Sequence, residues 1–266
     1  PGWRCRSSRA SPRSPPHAGV DADEGLRRLA ALGLPEPDAQ ALWSHFDAAE
    51  QRGKPSHGHA RILWLEQQDG FVAGAEPVLV EDESGFQRWH GNGALGYVTL
   101  ERALARQLAD PPRDARLVVC DRTFPTGMLG HYTRRLAEGG LVALLTATSP
   151  PRLGHPAGGP SLASTSPLSI AVPSSAGDPV VVDASMGAVT WGDVVAGLAG
   201  EDELVPFGGE HAHKAFALAV GLQLLVDALV RDPGHGAVLL VARPQADPVP
   251  ALRELAGSIR LPGDAG

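Results

Sequence analysis

Five short apolar runs, at 116–120, 141–146, 168–172, 180–182 and 237–242, constrain the fold more than any other feature of the sequence. Each is rich in Val, Leu, Ile or Ala and too short for a helix, the pattern of strands buried in a sheet. Helices are predicted between them: one over 129–138 separates the first two runs, and a long apolar one over 214–230 precedes the last. Strands alternating with helices predict an α/β fold, while Pro- and Gly-rich linkers at 149–160 and 173–179 leave room for antiparallel pairing.

Ahead of this region the pattern is helical. Leu26, Leu29, Ala30 and Leu32 keep a 3.6-residue period that Gly33 stops, and Leu42, Phe46 and Ala49 line a second helix running to Gly53. Ser56, after Pro55, is placed to cap a third helix over 57–68, and the three helices are expected to form one unit. Residues 71–95 read as loop and short strand, 97–108 as a helix closed by Asp110-Pro111-Pro112, and 249–259 as a closing helix. Residues 1–20 are Arg- and Ser-rich, acid-free and without helical period, and are expected to be a disordered leader.

Charge narrows the function classes. The net charge is −7, and the four arginines of the leader leave the remaining chain at −11. An acidic body argues against nucleic-acid binding, which needs a basic face. No run reaches ~20 uninterrupted apolar residues, so no transmembrane helix and no membrane partner are expected. Cys5 and Cys120 stand far apart, which excludes a disulfide framework and a zinc ribbon and fits a reducing compartment such as the cytoplasm.

Gly91-Asn92-Gly93-Ala94-Leu95-Gly96 matches the G-x-G-x-x-G dinucleotide pattern. The residues before it, Phe86-Gln87-Arg88-Trp89-His90, make a poor buried parallel strand because Gln, Arg and His stand where an apolar run is expected, so a structural Gly-rich turn is the alternative. With Ser56 as cap, His57 and Arg61 fall at i and i+4 on one helix face, a proton donor beside a carboxylate clamp. The positive helix end would keep that imidazole neutral. His57/His59 and His211/His213 are H-x-H pairs without carboxylate or Cys partners at metal-site spacing, so no metal is expected. No G-x-S-x-G elbow supports a hydrolase.

Taken together, Ser56-His57-Gly58 with Arg61, the 89–96 turn, 127–132, Ser164-Thr165-Ser166-Pro167, Val182-Asp183, Pro206-Phe207-Gly208-Gly209 with His213-Lys214, and 259–263 resemble, in order, blocks of the malate/L-lactate dehydrogenase family. That family includes ureidoglycolate and sulfolactate dehydrogenases, diketogulonate reductase and cyclic imino-acid reductases. The resemblance implies a sulfolactate-dehydrogenase-like α/β fold with a non-Rossmann nucleotide domain and a mixed sheet. Residues 113–242 would bind the cofactor, NAD or NADP. Residues 21–112, completed by 243–266, would form a helical substrate domain. It further implies a homodimer acting on a small carboxylate substrate, with His57 as proton donor and Ser56 and Arg61 beside it. Cofactor contacts would come from Pro179, Val180, Val181, Val182, Asp183, Ala184 and Ser185, from His213 and Lys214, and from Gly263 and Asp264.

The sequence departs from the family pattern at Pro125, where relatives carry His, at Ser166, where they carry Asn, and at Ala215, where they carry Gly. The stretches between Gly192 and Leu204 and after Leu229 are shorter than in relatives. The expected function is NAD(P)H-dependent interconversion of a 2-oxo acid and a 2-hydroxy acid, or reduction of a cyclic imino acid. The alternative is a degenerate, non-catalytic homologue serving as a dimeric binding protein.

Overall fold

The computed structural model describes residues 4–5, 20–232 and 234–264. In chain order the strands are β1 (Arg4–Cys5), β2 (Gln68–Asp69), β3 (Val78–Glu83), β4 (Phe86–His90), β5 (Ala115–Asp121), β6 (Val142–Ala147), β7 (Leu153–Gly154), β8 (Ser161–Ala163), β9 (Leu168–Val172), β10 (Val180–Ala184) and β11 (Ala237–Ala242). The helices are α1 (Ala22–Ala31), α2 (Glu36–Gln51), α3 (Ala60–Leu65), α4 (Gly96–Ala109), α5 (Leu129–Glu138), α6 (Trp191–Val195), α7 (Ala212–Leu229) and α8 (Val249–Ala256). The residues read as a disordered leader lie almost wholly outside those described, although β1 within them pairs antiparallel with β2.

Seven strands form one mixed sheet in the order β10-β9-β6-β11-β5-β4-β3. Only β4 and β5 pair in parallel, and every other neighbouring pair is antiparallel. β4, β5, β6 and β10 therefore run one way, and their carboxyl ends reach the same edge. α4 and α5 pack Leu100, Leu104, Leu129, Tyr132 and Leu136 against Val118, Cys120, Leu145, Leu239 and Val241 to form the main core. A second core joins α1, α2 and α3 to the start of α4 through Leu29, Leu42, Phe46, Leu65, Leu95 and Val98.

β4 corrects the reading of 86–90 as an unsuitable strand. It is a buried parallel strand, and Gln87 and the charge of Arg88 find partners within the protein, while Arg88 Nε and the Trp89 indole N–H make no hydrogen bond among the described residues. Gln87 accepts from Gln107 at 2.6 Å, and Arg88 reaches Asp121 at 3.3 Å, Glu81 at 3.4 Å and the Leu229 carbonyl at 3.0 Å. A buried polar group is tolerated when such partners exist. The Gly-rich turn that follows is structural. A Cβ on Gly91 would lie 2.3 Å from the Arg122 carbonyl, and one on Gly96 would lie 2.6 Å from the Phe124 nitrogen, so these glycines close the turn onto the 122–125 backbone.

The C-terminal segment runs beside β10. Val181 donates to the Pro262 carbonyl, Arg134 to the Gly263 carbonyl, and Arg253 to the Asp178 carbonyl and the Asp264 carboxylate. α7 is less covered than its composition suggests. Residues 209–229 have mean hydropathy 1.4 and are long and apolar enough to cross a membrane, yet only 22% of the apolar window is buried. That qualifies the expectation of no membrane-length helix. Ala212, Ala215, Ala219 and Val226 face inward, while Leu218, Leu224 and Leu225 are exposed.

Candidate active site

A cleft of about 680 Å³ opens at the carboxyl edge shared by β5, β6 and β10. Its walls come from four places. His57, Arg61 and Trp64 stand on the helical side with Tyr97. Phe124, Pro125, Thr126 and Gly127 follow β5, Thr148 and Arg152 follow β6, and Ser185, Thr190, Trp191 and Gly192 follow β10. A second lobe of about 740 Å³ shares His57, Gly127, Pro167, Ser185 and Thr190 with the first and adds Lys54, Ser56, Met128, Asp183 and Asp193. His57 thus stands where the lobes meet.

The local geometry corrects the expected cap. Ser56 lies in a 3-10 turn, Pro55–His57, and α3 begins only at Ala60 with His59 as its N-cap. Gly58 interrupts the helix because Glu50 of α2 reaches into the gap, accepting the His59 N–H at 2.8 Å where a Cβ on Gly58 would clash with it. His57 and Arg61 meet in the cleft without sharing a helix. The imidazole therefore owes nothing to a helix end. Burial pushes its pKa down to about 3, with Arg61 and Lys54 adding to the shift and Asp193 opposing it. Such an imidazole is neutral at neutral pH.

Its tautomer is set by neighbours. Ser56 Oγ lies 3.1 Å from His57 Nδ1, and the Ser56 hydroxyl hydrogen-bonds to the Asp193 carboxylate. An ionised carboxylate only accepts, so Ser56 donates to Asp193 and accepts from Nδ1–H, leaving Nε2 as the free acceptor. Burial works to raise the Asp193 carboxyl, but the bonds from Ser56 and Thr190 outweigh it and hold the group below its usual range. The Thr190 N–H donates to the Asp193 carboxylate at 2.7 Å and the Asp193 N–H returns a bond to Thr190 Oγ1 at 3.2 Å, a capping box that, with the Thr190 hydroxyl donating at 2.8 Å, fixes the carboxylate at the start of α6.

Arg61 is 8% exposed, and among the described residues no carboxylate pairs with it. Its guanidinium lies 5.2 Å from the Trp64 ring, and its Nε has no hydrogen-bond partner. On the facing wall Arg152 lies over the Trp191 ring at 3.3 Å. The floor is rigid. His45 Nε2 accepts the Met128 N–H at 2.9 Å, burial keeps that imidazole neutral, and a Cβ on Gly127, whose φ is +69°, would strike both His45 and Tyr97.

The residues expected from the sequence are distributed unevenly. Ser56, His57, Arg61, Asp183 and Ser185 line the cleft, and Lys54 reaches Asp183 at 3.0 Å across its second lobe. Pro179, Val180, Val181, Val182 and Ala184 belong to the sheet-edge strand and its approach, with Gly263 against Val181 and Asp264 paired to Arg253. His213 and Lys214 sit exposed in the first turn of α7 and line neither lobe. Sequence reasoning missed Asp193, Lys54, Tyr97 and Arg152. Among the described residues no group of three His, Cys, Asp or Glu is arranged to hold a metal.

The profile of the malate/L-lactate dehydrogenase family matches residues 25–203. The chain belongs to this family. It is 24% identical to malate dehydrogenase of Pyrococcus horikoshii over 63% of this chain and 47% of that protein. It is 28% identical to a Delta(1)-pyrroline-2-carboxylate/Delta(1)-piperideine-2-carboxylate reductase of Pseudomonas putida over 74% of this chain and 65% of that one. The chain thus spans about half the length of the malate dehydrogenase it matches. Its fold is similar to that of a delta1-piperideine-2-carboxylate reductase from Pseudomonas syringae, with TM-score 0.76 at 22% identity, covering 94% of this chain and 92% of that one. Sulfolactate dehydrogenase of Methanocaldococcus jannaschii gives 0.72 at 16% identity, covering 90% of this chain and 83% of that one. The fold is therefore the sulfolactate/malate dehydrogenase-like α/β fold, and the family is one of oxidoreductases.

Proposed function

We propose that the protein is an NAD(P)H-dependent oxidoreductase acting on a carbon next to a carboxylate, either a 2-oxo acid/2-hydroxy acid pair or a cyclic imino acid. The observation that carries this reading is Arg61, a buried guanidinium without a counter-charge beside a neutral imidazole in a cleft. A buried charge of this kind needs a partner, and a substrate carboxylate supplies one. What supports a nicotinamide nucleotide in the second lobe is that Ser185, the edge of β10 and the Asp183 carboxylate held by Lys54 offer a hydroxyl, backbone groups and an acceptor to a hydroxyl-rich ligand. When bound, that cofactor supplies or accepts the hydride.

The chain's own groups do the rest. Arg61 holds the carboxylate, and His57 Nε2 exchanges a proton with the substrate oxygen or nitrogen. Ser56 and Asp193 keep Nδ1 protonated, so the exchange takes place at Nε2. A neutral resting imidazole is ready to accept a proton from a 2-hydroxy acid. In the reducing direction it must first gain one, which a carboxylate beside Arg61 favours by cancelling the charge that adds to the effect of burial. The reading extends to a homodimer in a reducing compartment, with the exposed leucines of α7 as the face to be covered. The test is binding of NADH and NADPH, followed by turnover of a panel of 2-oxo and cyclic imino acids read by nicotinamide absorbance. No turnover by protein that binds the cofactor overturns the catalytic reading.

Pro125 favours a second reading. It lines the cleft at a position where the family resemblance implies an imidazole, and His57 is the sole His among the lining residues described. A non-catalytic binding protein would keep cofactor affinity while failing the whole panel.

A further inference from the structure

A buried polar atom without a partner destabilises a fold by roughly 1–3 kcal/mol, and two such atoms belong to residues lining the same cleft. Tyr97 is 1% exposed, and among the described residues its hydroxyl has no hydrogen-bond partner, as is also true of Arg61 Nε. The ring is held on several sides. His45 and Phe46 meet it edge-on at centroid distances of 5.1 and 5.4 Å, and Gly127 lies so close that a Cβ there would come within 2.3 Å of it. A phenylalanine would fill this space without the orphaned oxygen. The chain's other tyrosine makes the contrast: Tyr132, equally buried, donates to the Thr126 carbonyl at 3.2 Å. Burial raises the Tyr97 hydroxyl's pKa, and the Arg61 guanidinium is near enough to oppose that rise.

We propose that Tyr97 is a substrate-binding residue whose hydroxyl joins Arg61 in donating hydrogen bonds to the carboxylate of a small 2-oxo or cyclic imino acid. This rests on the reading of Arg61 as a carboxylate clamp. Two donors left unpaired in the resting protein are both satisfied when one carboxylate enters, so relief of their burial cost adds to the ligand's affinity. The arrangement also explains a tyrosine at the start of α4, where only a hydroxyl at the ring's far end distinguishes it from an apolar packing residue.

The chain has only two tyrosines, which makes the test direct. The full chain, carrying tyrosine labelled with carbon-13 at the phenolic carbon, is titrated with oxamate and with pyrrole-2-carboxylate in the presence of NADH or NADPH. The Tyr97 signal is expected to move while that of Tyr132 stays. Tyr97→Phe should weaken probe binding roughly 5- to 30-fold with a Tm equal to or above that of the wild type, because the orphaned hydroxyl is gone. Wild-type affinity in Tyr97→Phe with a stationary Tyr97 signal overturns the proposal. A lowered Tm also overturns it, since the hydroxyl would then have a structural partner. If Arg61→Ala alone loses binding, the clamp stands without Tyr97. If the wild type binds neither probe, clamp and proposal fall together. Should Tyr97→Phe not fold, Tyr132→Phe assigns the two signals and the titration of wild-type protein decides.

Discussion

Arg88 on β4 and Arg61 on α3 are withdrawn from solvent to nearly the same degree, 6% and 8% exposed. Around Arg88 the protein supplies Asp121, Glu81 and the Leu229 carbonyl. Around Arg61 it supplies an aromatic face and a neutral imidazole, and among the described residues no paired carboxylate. The first arginine has its charge balanced by two carboxylates of the folded chain, although its Nε, like that of Arg61, makes no hydrogen bond among the described residues, and it ties β3, β4, β5 and the end of α7 together. The second belongs to a network that is incomplete until something anionic arrives. Burial and residue type are alike in the two regions, so what separates a structural charge from a functional one is whether the fold itself closes the balance.

The comparison is broken most severely by removing the group that the incomplete network serves. His57→Ala is expected to lower turnover by about 10²–10⁴-fold, the usual contribution of a positioned proton-transfer group, while cofactor affinity is kept. Steady-state kinetics beside cofactor titration separate the two. On the other side, Arg88→Ala leaves Asp121 buried without its counter-charge and should destabilise the fold by roughly 3–5 kcal/mol. Denaturant unfolding measures it, and a change below about 1 kcal/mol would mean that the network is redundant.

Arg61→Ala should do the reverse of Arg88→Ala, with little loss of stability and carboxylate affinity weaker by about 1.5–3 kcal/mol, the scale of hydrogen bonds to a charged group. KM and probe binding report it, and an equal fall in Tm for both arginine variants would erase the distinction drawn above. The last expected effect is on pH dependence. With the free His57 at about 3, the fraction able to donate a proton falls as pH rises. For the reducing direction kcat/KM should therefore drop about tenfold per pH unit between about pH 5 and 8. In the oxidising direction the neutral form is already present, and the profile should be flat over the same range.

Much of this architecture is legible in the chain because local pattern and tertiary environment agree. α5 at Leu129–Glu138 and β11 at Ala237–Ala242 coincide with the predicted segments residue for residue. They disagree at β4, whose Gln87 and Arg88 look unfit for burial until Gln107, Asp121 and Glu81 arrive from elsewhere in the fold. The cap assigned to Ser56 failed similarly, because Glu50 of the preceding helix, and not the local sequence, decides where α3 begins. In the cleft, His57 and Arg61 are visible through their motif. Asp193 is not, since nothing in the residues around it announces a hydrogen bond to Ser56 across more than a hundred positions.

The place of β11 in the sheet bears on how the chain leaves the ribosome. β5 and β6 are not neighbours; β11, which follows every other described strand in the chain, inserts between them and pairs with both. Until residue 242 emerges, a nascent chain holds two half-sheets, each with an open apolar edge able to recruit another copy. The stretch matched by the family profile, ending at 203, lacks this strand. A fragment cut there would present β5 and β6 as sticky borders, and its yield as soluble protein during synthesis should depend on holding chaperones in a way that the full chain's does not.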